Sequence, residues 1–133
     1  MVAVMDVPHE QTGSYGIVTP GADDGRIVQV EGLVEKPNPS SAPSNIAVVG
    51  RYIITPEVFE TLAAQERGAG GEIQLTDALA KQIGKAPFSG VRFSGERFDC
   101  GSKLGFLQAN VAFGLTNDAM RDQLCDWLGE RLG

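Results

Sequence analysis

The stretch IAVVGRYII, residues 46 to 54, limits the fold more than any other segment. A nearly continuous run of apolar and β-branched side chains reads as a strand buried on both faces, the central strand of a sheet covered by helices. The segments around it suit such a sheet. MVAVMDVP can form a strand through Val2, Val4 and Val7, and SYGIVTP is a short apolar strand entered from Gly13 and left through Pro20 and the turn-rich GADDG. RIVQVEGLVEKP alternates apolar and polar side chains and breaks at Gly32, where a bulge or a close backbone approach fits.

Helical periods follow the central run. Thr55 can cap and Pro56 open a helix with Val58, Phe59, Leu62 and Ala63 on one side, ending before ERGAGGE. EIQLTDALAKQIGK spaces Leu75, Leu79 and Ile83 four apart, with Gly84 as its stop. APFSGVRFSGERFDC holds two small strand candidates. Ser102 is placed to cap a helix made from Leu104, Leu107, Gln108, Val111 and Ala112, ended by Gly114. A last amphipathic helix from about Asn117 carries Met120, Leu124, Trp127, Leu128 and Leu132. The order predicts an α/β or α+β domain.

Seventeen acidic against eleven basic residues give a formal charge of −6, and no basic cluster marks a nucleic-acid surface. The chain has no long apolar run and no signal-like start, so the cytoplasm is the expected compartment. Cys100 and Cys125 form neither a CxxC pair nor a zinc framework, and Cys100 reads as a packed small side chain. His9 has no second histidine or nearby cysteine for a transition-metal site.

The chemistry-bearing candidates are few. GAGGE has the glycine content of a phosphate loop without its spacing, and a helix-to-helix connection accounts for it. Glu35 and Lys36 precede Pro37 at a strand end, where a lysine can meet a phosphate and a glutamate can accept from sugar hydroxyls if the chain bends; a solvated ion pair is the other reading. Asp99 follows Phe98 at an expected strand end, three residues before a helix cap. It can be a magnesium ligand or a structural cap.

Taken in order, SYGIV, GLVEKP, APSNIAVVGRY, GEIQLTDAL and FDCGSKLGF resemble the second half of bacterial UTP-glucose-1-phosphate uridylyltransferases, from about Val2 to Gly114. The resemblance implies the C-terminal part of a nucleotide-sugar pyrophosphorylase fold, a mixed α/β sheet flanked by helices. Residues 1–115 would be the sugar-phosphate side, and 116–133 a helix for packing or oligomerisation. In that family magnesium supports attack by glucose 1-phosphate on the α-phosphorus of UTP, giving UDP-glucose and pyrophosphate. By position, Gly16 would meet the glucose ring through its backbone, Glu35 would hold sugar hydroxyls, and Lys36 would hold the sugar phosphate. Asp99 would be one of two magnesium carboxylates, with Lys103 near the phosphates. Glu72 is a further substrate-contact candidate, and Asp77 a structural cap. The family's nucleotide loop and second magnesium aspartate belong to an N-terminal half with no counterpart here. The expectation is therefore a sugar-phosphate half that is inactive alone. A noncatalytic sugar-phosphate-binding or interaction module, or one chain of a split enzyme, is the alternative. Uncovered strand edges and apolar surface would then favour a homo-oligomer.

Overall fold

The computed structural model describes residues 1–64 and 72–133, which form two compact units, Met1–Ser94 and Gly95–Gly133. Most of the glycine-rich GAGGE stretch lies outside the described residues. The first unit holds β1 (Val2–Asp6), β2 (Gly16–Asp23), β3 (Ile27–Glu35), β4 (Ile46–Tyr52) and β5 (Ser89–Arg92), with α1 (Glu57–Ala63) and α2 (Leu75–Ala80). The strands pair in the order β1-β4-β2-β3-β5, and β5 returns to β1, so the sheet closes into a barrel. The β1–β5 pair is parallel and the others are antiparallel, giving the mixed sheet that was expected. Closure was not expected. It removes the open strand edges on which the oligomer argument partly rested.

β3 shows how pattern becomes geometry. Val28 and Val30 point inward and Gln29 and Glu31 outward, but the next buried residue is Leu33. The register explains the slip. Thr19 faces Gly32 while Pro20 faces Val30, so Glu31 is an extra residue on β3 and the inward set shifts by one. The same irregularity lets β2 run through Pro20 to Asp23, where a stop was predicted, because proline is tolerated where the ladder is already broken.

Inside the barrel, Val2, Val4, Val18, Val28, Val30, Leu33, Ile46 and Val48 pack with Val58 of α1 and Ala78 and Leu79 of α2. On the other face Val7, Ile17 and Ala47 make a smaller cluster with Met5 and Tyr15. β4 is thus buried on both faces only from Ile46 to Val48; beyond it Gly50 turns with φ +81 and Arg51 is exposed. Thr55 is not the N-cap of α1. That position is Pro56, and the Thr55 side chain bonds Glu57, holding its carboxyl below the usual range.

β5 closes the barrel where there is room for no side chain. A Cβ on Gly90 would lie 2.8 Å from Val28 Cγ1 and 3.1 Å from Val4 Cγ1. At the end of the strand, Arg92 Nε donates to Asp6 Oδ2 at 2.9 Å, and its Nη1 and Nη2 reach Asp23 Oδ1 and Oδ2 at 2.8 and 2.9 Å. One guanidinium therefore ties the ends of β1 and β2 to β5. This hydrogen bond, and next the Gly25 N–H, hold the Asp23 carboxyl below its ordinary 3.8.

The second unit is α3 (Lys103–Thr116) and α4 (Arg121–Leu132) with the chain leading into them. Ser102 is the N-cap, its Oγ accepting the Gly105 N–H at 3.0 Å, as read from sequence. The helices meet at Gly114, where a Cβ would lie 2.6 Å from Leu124 Cδ2. Leu124 and Leu128 are half-buried; Met120, Trp127 and Leu132 are exposed, with the Arg131 guanidinium 4.1 Å over the Trp127 ring. Residues 95–115 thus group with 116–133. Among the described residues no helix is long and apolar enough to cross a membrane.

Gly90→Ala overpacks the barrel and lowers unfolding free energy by about 1–3 kcal/mol in urea. Gly129→Ala, in α4 with nothing within 4 Å of its added carbon, is neutral or raises it. Because the Asp23 pKa is depressed in the fold, its contribution is present above the unfolded pKa and is lost as pH falls through the folded one. The urea midpoint should therefore fall as pH drops below about 5, with a shallower fall in Asp23→Asn.

Candidate functional site

The β2–β3 register sets Gly16 opposite Glu35, and the Lys36 N–H donates to the Tyr15 carbonyl at 3.0 Å. Gly16 is buried, Glu35 half-buried and Lys36 exposed. From α2, which packs on β3, Thr76 Oγ1 donates to Glu35 Oε2 at 2.6 Å, a bond between residues 41 apart in sequence. Such a short bond to a carboxylate is of the strong, charge-assisted kind. The pair lies over Gly16: a Cβ there would sit 3.2 Å from both Glu35 Oε2 and Thr76 Oγ1. Glycine at this position leaves the space that the carboxylate and hydroxyl occupy. Among the described residues, Thr76 is thus a hydrogen-bond donor to the Glu35 carboxylate, at Oε2. Tyr52 is close by. Its phenol pKa is pushed up, first by burial and then by the Glu35 charge.

Lys36 has φ +45, the only non-glycine residue with positive φ among the described ones. The extended geometry expected ahead of Pro37 is therefore not what Lys36 adopts. The left-handed conformation costs an L-residue roughly 1–2 kcal/mol. It supplies the bend that neighbouring side chains need to leave the alternating geometry of a strand. Strain of this kind gathers at ligand-holding positions.

The remaining candidates are placed elsewhere. Glu72 is exposed, ahead of α2. Asp77 is in the first turn of α2, where its charge suits the helix dipole, but the N-cap position is Gln74. Thr76, between these two, makes the contact and was missed; a threonine beside Leu75 reads as helix filler unless its burial is known. Asp99 and Lys103 belong to the second unit and are exposed. Asp99 does not follow a strand: β5 ends at Arg92, and residues 93–102 are loop and turn. Asp99 Oδ1 accepts the Gly101 N–H at 3.1 Å, and its carbonyl accepts the Ser102 N–H at 3.1 Å and Oγ at 3.0 Å. A Cβ on Gly105 would overlap that carbonyl. Cys100 is exposed in the same turn rather than packed. Lys103 opens α3, on the unfavourable side of the dipole for a cation. Among the described residues no three His, Cys, Asp or Glu side chains cluster as a metal site. Asp99 is exposed and its Oδ1 is engaged by the Gly101 N–H, so by itself it offers a single carboxylate and not a metal site.

A family described as nucleotidyl transferase matches residues 1–114. UTP-glucose-1-phosphate uridylyltransferase of Komagataeibacter xylinus is 61% identical over 104 residues, 78% of this chain and 37% of that protein. The enzyme of that name from Bacillus subtilis is 44% identical over 128 residues, 96% of this chain and 44% of that protein. Among solved structures, UDP-glucose pyrophosphorylase complexed with UDP-glucose superposes with a TM-score of 0.81 at 39% identity, covering 87% of this chain and 44% of that one. UDP-glucose pyrophosphorylase from Acinetobacter baumannii gives 0.82 at 34% identity, covering 97% and 44%. The chain thus spans less than half the length of these relatives, and its mixed α/β fold matches the corresponding part of theirs. On the match across residues 1–114, the chain belongs to the nucleotidyl transferase family.

Proposed function

We propose that this chain provides the sugar-phosphate side of a UTP-glucose-1-phosphate uridylyltransferase site. The observation that carries the reading is the Glu35 carboxylate held over Gly16 beside the bent Lys36. In this reading the Gly16 backbone meets the glucose ring, Glu35 accepts from its hydroxyls, and Lys36 sets a compact cation against the 1-phosphate. The phosphate oxygen of glucose 1-phosphate attacks the α-phosphorus of UTP, and the bond to pyrophosphate breaks. Transfer of this kind needs positioned reactants and neutralised oxygens more than covalent help from the protein. Asp99 would hold magnesium, which when bound supplies charge compensation on those oxygens. Lys103 would add a cation near the phosphates, and Glu72 is the remaining substrate-contact candidate.

The relatives carry more than twice this length, so the whole reaction is proposed only with the UTP-binding part supplied as well. In this reading residues 1–115 carry the sugar-phosphate roles, although 95–115 group structurally with 116–133, whose helix serves packing or association. Exposed Leu104, Leu107 and Phe113 of α3 and Trp127 and Leu132 of α4 give an apolar surface suited to self-association.

Calorimetry on this chain should show glucose 1-phosphate bound in preference to UTP, with no appreciable turnover when both are present with magnesium. Lys36→Ala and Lys36→Gly should both lose about tenfold or more in sugar-phosphate affinity. Lys36→Gly should be the more stable of the two by about 1 kcal/mol, because glycine relieves the positive φ. Turnover by this chain alone at an ordinary enzyme's rate, or UTP bound and sugar phosphate ignored, would refute the half-site reading. Sedimentation velocity across the micromolar range should show association; monomer throughout would reject it.

A further inference from the structure

Thr76 stands apart from the other polar side chains of the first unit. It is 7% exposed, it sits on a helix of six residues, and its hydroxyl bonds a carboxylate on a different element. As the second residue of α2 it has no preceding helical turn to which it could return its hydroxyl, so the donor is available to another element. Here the donor is committed to Glu35 Oε2, while Gly16 leaves room for both groups.

Stability alone does not explain this choice. Tying down a glutamate side chain costs about 1.5–2 kcal/mol of rotamer freedom. A pair of apolar residues of the same shape would be as stable or more so. What the bond does accomplish is to fix the carboxylate. The bond to Oε2 disfavours rotation about the terminal torsion of Glu35 and turns Oε1 away from Thr76.

We infer that Thr76 is a positioning residue for sugar recognition: it holds Glu35 over Gly16 so that one carboxylate oxygen faces the sugar hydroxyls. The inference rests on the proposed sugar-phosphate role of Glu35. It adds that sugar affinity depends on the Thr76 hydroxyl while phosphate affinity does not. The Lys36 backbone is held separately, through its own N–H on the Tyr15 carbonyl, a tie that does not involve Thr76.

The test is calorimetry with this chain and two probes, glucose 1-phosphate and inorganic phosphate, on wild type, Thr76→Val, Thr76→Ser and the Glu35→Ala background. Thr76→Val keeps the shape and removes the donor; it should weaken glucose 1-phosphate about tenfold and leave inorganic phosphate unchanged. Thr76→Ser, which keeps the hydroxyl, should stay within about twofold of wild type. On Glu35→Ala, which leaves Thr76 no side-chain acceptor at this position, adding Thr76→Val should change sugar-phosphate affinity by less than about twofold. Should Thr76→Val not fold, Thr76→Ala read against Thr76→Ser gives the same comparison. Wild-type affinity in Thr76→Val, or equal weakening of both probes in it, overturns the positioning role and leaves the sugar-phosphate reading standing. A folded wild type that binds no glucose 1-phosphate overturns that reading and this inference with it.

Discussion

The four-residue strand β5 is the constraint on which the first unit depends. It runs parallel to β1 and antiparallel to β3, and it fits because Gly90 presents no side chain to Val4 and Val28. With β5 in place the sheet has no free edge, and the interior is filled by inward residues from all sides. A barrel of five strands has little interior volume, so its lining is dominated by valine, compact and stiff at χ1. Arg92 then fastens the seam by giving donors to carboxylates from two strands. The charge-assisted contacts set direction and register, and the apolar lining supplies the bulk of the stabilisation.

The candidate site inherits its geometry from that closed sheet. Because β2 and β3 are locked in register, Gly16 stands opposite Glu35, and the bulge at Glu31 decides which β3 side chains turn inward on the way there. α2 is seated by Ala78 and Leu79 in the same core that holds β3. Thr76, on the buried side of that short helix, is carried to Glu35 by apolar packing two and three residues away. Core packing therefore places a polar contact, and the polar contact orients the carboxylate.

The parts legible in the sequence were those governed by local rules. The Ser102 cap, the alternation along β3 and the break near Gly32 each follow from what one residue or its neighbours can do. The helix stop read at Gly84 falls earlier, since α2 ends at Ala80 and Gly84, at φ +87, turns in the chain beyond it. Sheet closure was not legible, since pairing of β5 with both β1 and β3 depends on contacts across most of the chain. Asp99 was placed after a strand because APFSGVRFSGERFDC reads as two small strand candidates, yet the turn that its own side chain and carbonyl make into Ser102 takes over. Glu35, Lys36 and Gly16 came from resemblance together with residue chemistry. The structure adds their mutual geometry, and Thr76 with it, because burial of a threonine is a tertiary fact with no local signature.

The charge of the chain sharpens the meaning of the strain at Lys36. At −6 overall, the chain's net field opposes a phosphorylated ligand. An exposed lysine in water offers only a screened attraction, with a Debye length of about 8 Å at physiological salt. Affinity then has to come from contacts fixed before the ligand arrives, so that little ordering is left to do on binding. The carboxylate already bonded to Thr76 is such a contact, and the Lys36 backbone, left-handed, held by the Tyr15 carbonyl and followed by a buried proline, fixes the point from which the lysine side chain starts. Both are ordered during folding, and the strain at Lys36 is carried by the stability of the closed sheet. Preorganisation thus links the glycine that closes the barrel to the lysine that would meet the phosphate.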